Sequence, residues 1–265
     1  MKDLGKGAWE VTKRFLCAFL STAGVFIIFG FILGKLETII DTRLVMSAGM
    51  NAILITAIVG TPLHETAHWI GCKIFGFKVL DVDLLRPVAF KTDGVLGYVK
   101  FATNQNNMWS KLGCFVTGMA PMILGSVFMI LIVRLCVPEV FEATKKSIEN
   151  RGKDKIPVLS CWWAAFSGFW KGMFSLRKWG ILRGILCLYL VMSVSMHMTI
   201  SPADFNSAAF GFGVVALIYL IYSIITAAIG NDYVLPALKR GGFIASLLSI
   251  GLIADGIMLL ISLLF

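Results

Sequence analysis

Along this chain apolar residues come in long runs, with charged residues confined mostly to the borders between them. Runs near 15–34, 44–63, 112–135, 182–200, 207–229 and 243–264 are each long enough, at about 1.5 Å per helical residue, to cross a hydrocarbon core of roughly 30 Å. The pattern predicts an all-α polytopic membrane protein with about six transmembrane helices. The second run does not stop at Leu63: it continues as the amphipathic segment HETAHWIGCKIFG, which carries that helix to about Gly76 with its polar residues turned toward protein.

Between the second and third runs the period changes. Val79, Asp81 and Asp83 alternate with Leu80, Val82 and Leu84, and Val95 to Phe101 is rich in β-branched and aromatic residues. With Thr92-Asp93-Gly94 as a turn signal between them, these stretches predict a small membrane-surface β-hairpin. The loop from 137 to 181 opens with a polar stretch, ATKKSIENRGKDK, and continues with Trp162, Trp163, Phe166, Phe169, Trp170, Phe174 and Trp179. Aromatic residues at that density suit the bilayer interface, with a short seventh span as the competing reading.

Composition agrees with a bilayer setting: 58% of residues are hydrophobic, 15% are charged and the mean hydropathy is +0.85, beyond what a water-soluble surface tolerates. The first run is too long for the core of a cleavable signal and lacks a small-x-small site after it, so it reads as a retained span. The net charge of +9 lies between spans, where it meets lipid headgroups, and argues for no nucleic-acid partner. The longest loop carries the most Lys and Arg, in the setting where the positive-inside rule weakens, and membrane orientation stays open. The six cysteines show no C-x-x-C pair and read as small buried hydrophobes. No internal repeat or pair of broken helices points to a secondary transporter.

The chemistry is concentrated in His64-Glu65-Thr66-Ala67-His68, which has the form H-E-x-x-H. On a helix the i, i+4 spacing puts both imidazoles on one face, close enough to share one Zn²⁺. Glu65 falls beside that face, where it can take a proton from a water acidified by the ion. Two His and a Glu at the end of an intramembrane helix are expensive to bury without partners, which disfavours chance placement. A tetrahedral site needs a third protein ligand. Ile74 stands where the longer metzincin motif has its histidine, and Cys72 is about 12 Å of helix rise from His64. The remaining candidates are Asp204, Asp255 and His197. Asp204 lies in Ser201-Pro202-Ala203-Asp204, also a good helix N-cap arrangement. Asp255 is a lone Asp in the last span, and His197 falls seven residues before Asp204.

These residues resemble the site-2 protease family of intramembrane zinc proteases, over about residues 45–210. The segment from Thr117 to Gly125, with Gly118, Pro121 and Gly125, is similar to the Gly/Pro-bearing helix beside the metal in that family; close helix packing alone also accounts for it. The sequence lacks the Asn-Pro and Leu-Asp-Gly motifs of the family, whereas Ser-Pro-Ala-Asp resembles the Ser-x-x-Asp segment of bacterial relatives. The resemblance implies a zinc metalloprotease in which His64, His68 and Asp204 hold the metal and Glu65 is catalytic. It also implies a multi-pass protein of a bacterial cell membrane whose substrate is a membrane protein or peptide, unwound as a strand against the hairpin. Thr61, Thr66, Thr117 and Ser126 are candidates for a water path. One membrane-embedded domain over 1–265 is expected, with the core at 45–210, peripheral spans at 15–34 and 243–264, and an interfacial aromatic segment at 156–181. A glutamate-type membrane protease fits poorly, because the later spans contain no Glu. The non-enzymatic alternative is a transporter or assembly factor using His64, Glu65 and His68 as an ion path.

Overall fold

The computed structural model describes residues 2–104, 107–150, 157–231 and 233–263. Residues 151–156, which hold the end of the expected polar stretch and the start of the aromatic segment, lie outside the described residues, as do the chain's first residue and its last two. Helix α1 (Lys2–Phe19) passes through a five-residue π turn (Leu20–Gly24) into α2 (Val25–Ala48). The stretch 35–43, expected to link two spans, is therefore helix. Leu33, Leu36, Ile40 and Leu44 recur at helical spacing, and Leu33 and Ile40 are fully buried, so the apolar stripe outlasts the uncharged run. Gly49, at φ 75°, ends the helix in a conformation that favours glycine.

After a short 3-10 turn (Met50–Ala52) comes α3 (Leu54–Phe75), then α5 (Met108–Cys136), α6 (Pro138–Asn150), α7 (Pro157–Phe174), α8 (Lys178–His197), α9 (Pro202–Ala228) and α10 (Val234–Ser262). Among the described residues five helical stretches are long and apolar enough to cross a membrane: Gly7–Ala48, Met108–Cys136, Gly180–His197, Pro202–Ala228 and Val234–Ser262. The protein is accordingly an all-α polytopic membrane protein. Of the six expected spans the missing one is α3, whose polar His64, Glu65 and His68 lower its hydropathy; α3 is instead packed between α5 and α8.

The connection from α3 to α5 holds a two-stranded antiparallel sheet of β1 (Lys78–Asp83) and β2 (Tyr98–Ala102). Val79 pairs with Phe101 and Val82 with Val99, and the register slips between Val79 and Asp81. The strands are not joined by a tight turn at Thr92-Asp93-Gly94. Residues 84–97 make a longer link containing one helical turn, α4 (Phe90–Asp93), which Gly94 ends at φ 72°. Phe90 is the reason: it is buried against Ile53 and Ala57 at the start of α3, while Phe77, Val79, Val99 and Phe101 pack beside Cys72 and Cys114 at its end. The sheet thus runs back along α3 and passes its midpoint.

The 137–181 region is also more ordered than a loop. Its polar half forms α6, whose Val140 is buried, and its aromatic half forms α7, packed on α6 and α10. Trp162, Phe166, Trp170 and Phe174 follow one another at i, i+4 along α7, Trp162 Nε1 donates to Ser249 Oγ at 2.9 Å, and Phe169 joins the main core with Met129, Val191 and Leu248. The aromatic density serves helix packing as well as exposure, since Trp163 and Phe174 remain exposed. Replacing Phe169 with Ala is expected to lower stability by about 3–5 kcal/mol, read as a fall in the thermal midpoint in detergent, without changing metal content, because α7 does not border the site described below.

Candidate metal centre

The i, i+4 spacing on α3 places the His64 and His68 rings 4.7 Å apart, centroid to centroid. Each ring is held from behind by a backbone carbonyl of a neighbouring helix: His64 Nδ1–H donates to the His197 carbonyl at 2.5 Å, and His68 Nδ1–H donates to the Thr117 carbonyl at 2.8 Å. A carbonyl only accepts, so both bonds place a proton on Nδ1, and in the neutral ring that leaves Nε2 as a lone pair. The two Nε2 atoms lie 2.9 Å apart. Asp204 Oδ1 is 3.1 Å from His68 Nε2 and Asp204 Oδ2 is 3.7 Å from His64 Nε2. With both rings neutral these are three acceptors with no donor between them, which repel one another unless a cation sits among them, and imidazoles anchored through the far nitrogen are the usual arrangement of histidine ligands. One donor atom from each of His64, His68 and Asp204 falls within 4.8 Å of the others, so the group can hold a metal ion.

Helix packing makes these approaches possible. Gly60 on α3 faces α8 so closely that a Cβ there would meet His197 Cβ at 2.7 Å and collide with the Ser193 carbonyl. Gly118 on α5 faces the start of α9, where a Cβ would stand 3.0 Å from the Ala208 backbone nitrogen and 2.5 Å from the Asp204 carbonyl. Small residues at these crossings bring α8 up to α3 and α9 up to α5.

The capping and ligand readings of Asp204 coexist. Ser201 Oγ accepts from the Asp204 backbone N–H and Asp204 Oδ2 accepts from the Ser201 backbone N–H, both at 3.1 Å, with Pro202 in the first turn. The capping box fixes the carboxylate, and Oδ1 still faces His68. Asp255 does not join the group: fully buried on α10, it accepts from Ser195 Oγ at 2.5 Å. His197 contributes its carbonyl, and its ring turns away to Thr56 Oγ1 at 3.1 Å. Cys72 is buried against Phe77 and Cys114. Of the residues proposed to guide water, Thr61 lines the cavity beside the site, whereas Ser126 Oγ donates back to the Met122 carbonyl.

That cavity has a volume of about 610 Å³ and is bordered by His64, Glu65, Gly97 and His197. Glu65, 7% exposed, lies under the segment leading into β2: a Cβ on Gly97 would come within 2.9 Å of both Glu65 Cγ and the Leu84 carbonyl. Two carboxylates of α2, Glu37 and Asp41, line the same cavity. Sequence reasoning passed over them as loop residues; their i, i+4 spacing within the Leu33, Leu36, Ile40, Leu44 stripe was the available signal.

If the carbonyl anchors set the site, Gly60→Val, which touches no metal-binding atom, is expected to strip bound metal from the purified protein while costing about 1–3 kcal/mol of stability through overpacking. Elemental analysis checks this, and full metal content in a folded Gly60→Val protein would show that the His197 carbonyl is dispensable.

Comparison of the chain with protein-family models, with curated proteins and with solved structures finds no match.

Proposed function

We propose that this chain is an intramembrane zinc metalloprotease that hydrolyses a peptide bond of a membrane protein or peptide within or near the bilayer. The observation that carries the reading is the convergence of His64 Nε2, His68 Nε2 and an Asp204 carboxylate oxygen beside Glu65 in an open cavity. Two imidazoles and one carboxylate are a catalytic zinc donor set that leaves a coordination position open. Zinc held there supplies Lewis-acid chemistry, lowering the pKa of a bound water toward neutrality and polarising a carbonyl.

The chain's own residues do the rest. The His197 and Thr117 carbonyls keep both imidazoles in the tautomer that presents Nε2, and the Ser201 capping box keeps Asp204 from swinging away. Glu65, one residue from His64 on the cavity side, takes the proton of the attacking water and returns it to the departing amine. Each strand of the β1–β2 sheet has one edge unpaired among the described residues, and a peptide unwound from its helix can hydrogen-bond along such an edge.

Elemental analysis of the detergent-purified protein tests the metal. Wild type, Glu65→Gln and Asp255→Ala are expected to hold about one zinc per chain, and His64→Ala and Asp204→Ala to lose it. Single-span reporter proteins in proteoliposomes test the reaction, which Glu65→Gln should slow by about 10²–10⁴-fold and a zinc chelator should abolish. Wild type without zinc after reloading would overturn this mechanism in favour of an ion path through His64, Glu65 and His68.

A further inference from the structure

The cavity beside the candidate metal centre is acidic on the side that the mechanism leaves idle. Glu37 and Asp41 stand four residues apart on α2 and both line it. Like charges at this spacing are unfavourable on an isolated helix, and neither carboxylate makes an ion pair with a Lys or Arg among the described residues. Lys35, the one basic chain among the residues bordering the cavity, is exposed and pairs with neither. Glu37 Oε2 accepts from Thr199 Oγ1, and its other oxygen is 3.9 Å from His197 Nδ1. Thr56 already donates its hydroxyl proton to the Ile53 carbonyl at 3.2 Å, so it accepts from His197 Nε2–H, and in the neutral ring Nδ1 is then a lone pair that brings no positive charge to Glu37.

Two further buried groups have no hydrogen-bond partner among the described residues: Asp41 Oδ1 and Oγ1 of Thr61, a residue only 4% exposed that also borders the cavity. Buried polar atoms without partners are rare in folded proteins and call for a ligand. A small metal ion is a poor fit, because the only compact set of three donors among the described residues is the one formed by His64, His68 and Asp204. An ammonium or guanidinium on a flexible stem suits two carboxylates one helical turn apart.

The neighbouring space narrows the choice of occupant. A second cavity, of about 680 Å³ and lined almost wholly by apolar side chains of α2, α5 and α9, shares Gly30, Phe31, Ile200, Ser201 and Pro202 with the first. An occupant matching both is an apolar polypeptide segment bordered by Lys or Arg, the composition found where a membrane span meets its basic flank. We propose that Glu37 and Asp41 form a cation subsite that seats a Lys or Arg of the polypeptide substrate while the adjoining apolar slot takes its hydrophobic residues. This deepens, and rests on, the protease reading of the same cavity.

The test uses the whole 265-residue chain in a zwitterionic detergent and a fluorescent peptide, an apolar segment ending in two Lys, compared by anisotropy with versions ending in two Gln or two Glu. Wild type is expected to bind the Lys peptide about tenfold or more tightly than the Gln peptide. Asp41→Asn, which removes a charge without touching His197 or Thr199, should erase most of that preference and leave affinity for the Gln peptide unchanged. Asp41→Lys should favour the Glu peptide. Equal affinity for all three peptides in wild type, or a Lys preference that survives Glu37→Gln/Asp41→Asn, would overturn the subsite. So would thermal stabilisation by Mg²⁺ or Ca²⁺ that Asp41→Asn removes, since it would make the pair a metal site. Zinc content and reporter cleavage, read on the same preparations, separate the two ideas: cleavage without charge preference sinks the subsite alone, and charge preference without zinc sinks the protease.

Discussion

The candidate centre depends on two hydrogen bonds, from His64 Nδ1 to the His197 carbonyl and from His68 Nδ1 to the Thr117 carbonyl. Both acceptors are main-chain carbonyls that their own helices leave free, His197 as the last residue of α8 and Thr117 because Pro121, four residues on, has no N–H to donate, and both belong to helices other than α3. Reaching them requires α8 and α5 to approach α3 at backbone distance, which side chains larger than glycine would prevent at Gly60 and hinder at Gly71, where a Cβ would meet Thr117 Oγ1 at 2.8 Å. A bilayer supplies no hydrophobic force between apolar helices, so close packing of small residues is the interaction that holds such crossings together. The same contacts therefore assemble the bundle and orient the imidazoles.

Asp204 illustrates how one side chain can satisfy a structural and a chemical demand together. The first turn of α9 leaves backbone N–H groups without helical partners, and the reciprocal Ser201 and Asp204 bonds meet part of that need. A carboxylate so held has few rotamers left, which favours a preorganised donor. Asp255, more deeply buried and equally polar, is spent on Ser195 and has no route to α3. Its second oxygen is without a partner among the described residues.

The cavity brings together elements that lie far apart in the chain: α2 with Glu37 and Asp41, the midpoint of α3 with His64 and Glu65, the approach to β2 with Gly97, and the α8 to α9 turn with Thr199. The sheet is held against the end of α3 by the cluster of Phe77 and Phe101 and its connecting link against the start by Phe90, and this double tether is what carries Gly97 over Glu65. The 42-residue helical stretch from Gly7 to Ala48 is about twice the length needed to cross the hydrocarbon core. Its charged C-terminal part can therefore line a polar cavity without sitting in lipid.

Local features of the chain were legible without coordinates. The apolar runs specify a polytopic helical protein because length and hydropathy are properties of contiguous residues, and H-E-x-x-H places two imidazoles on one face because helical spacing is fixed. Alternation at Val79 to Leu84 and the β-branched and aromatic residues at Val95 to Phe101 reveal the strands for the same reason. What sequence left open was decided between elements. The extension of α2 past residue 34 follows from burial of Ile40 and Leu44 beyond the apolar run. The longer link between the strands follows from where Phe90 finds its pocket, and the helical order of α7 from packing against α6 and α10. Above all, Asp204, Asp255 and His197 were comparable polar anomalies in sequence, and only the crossings of α3 with α8 and of α5 with α9 determine which carboxylate meets the histidines, because distance between residues more than a hundred positions apart is a property of packing alone.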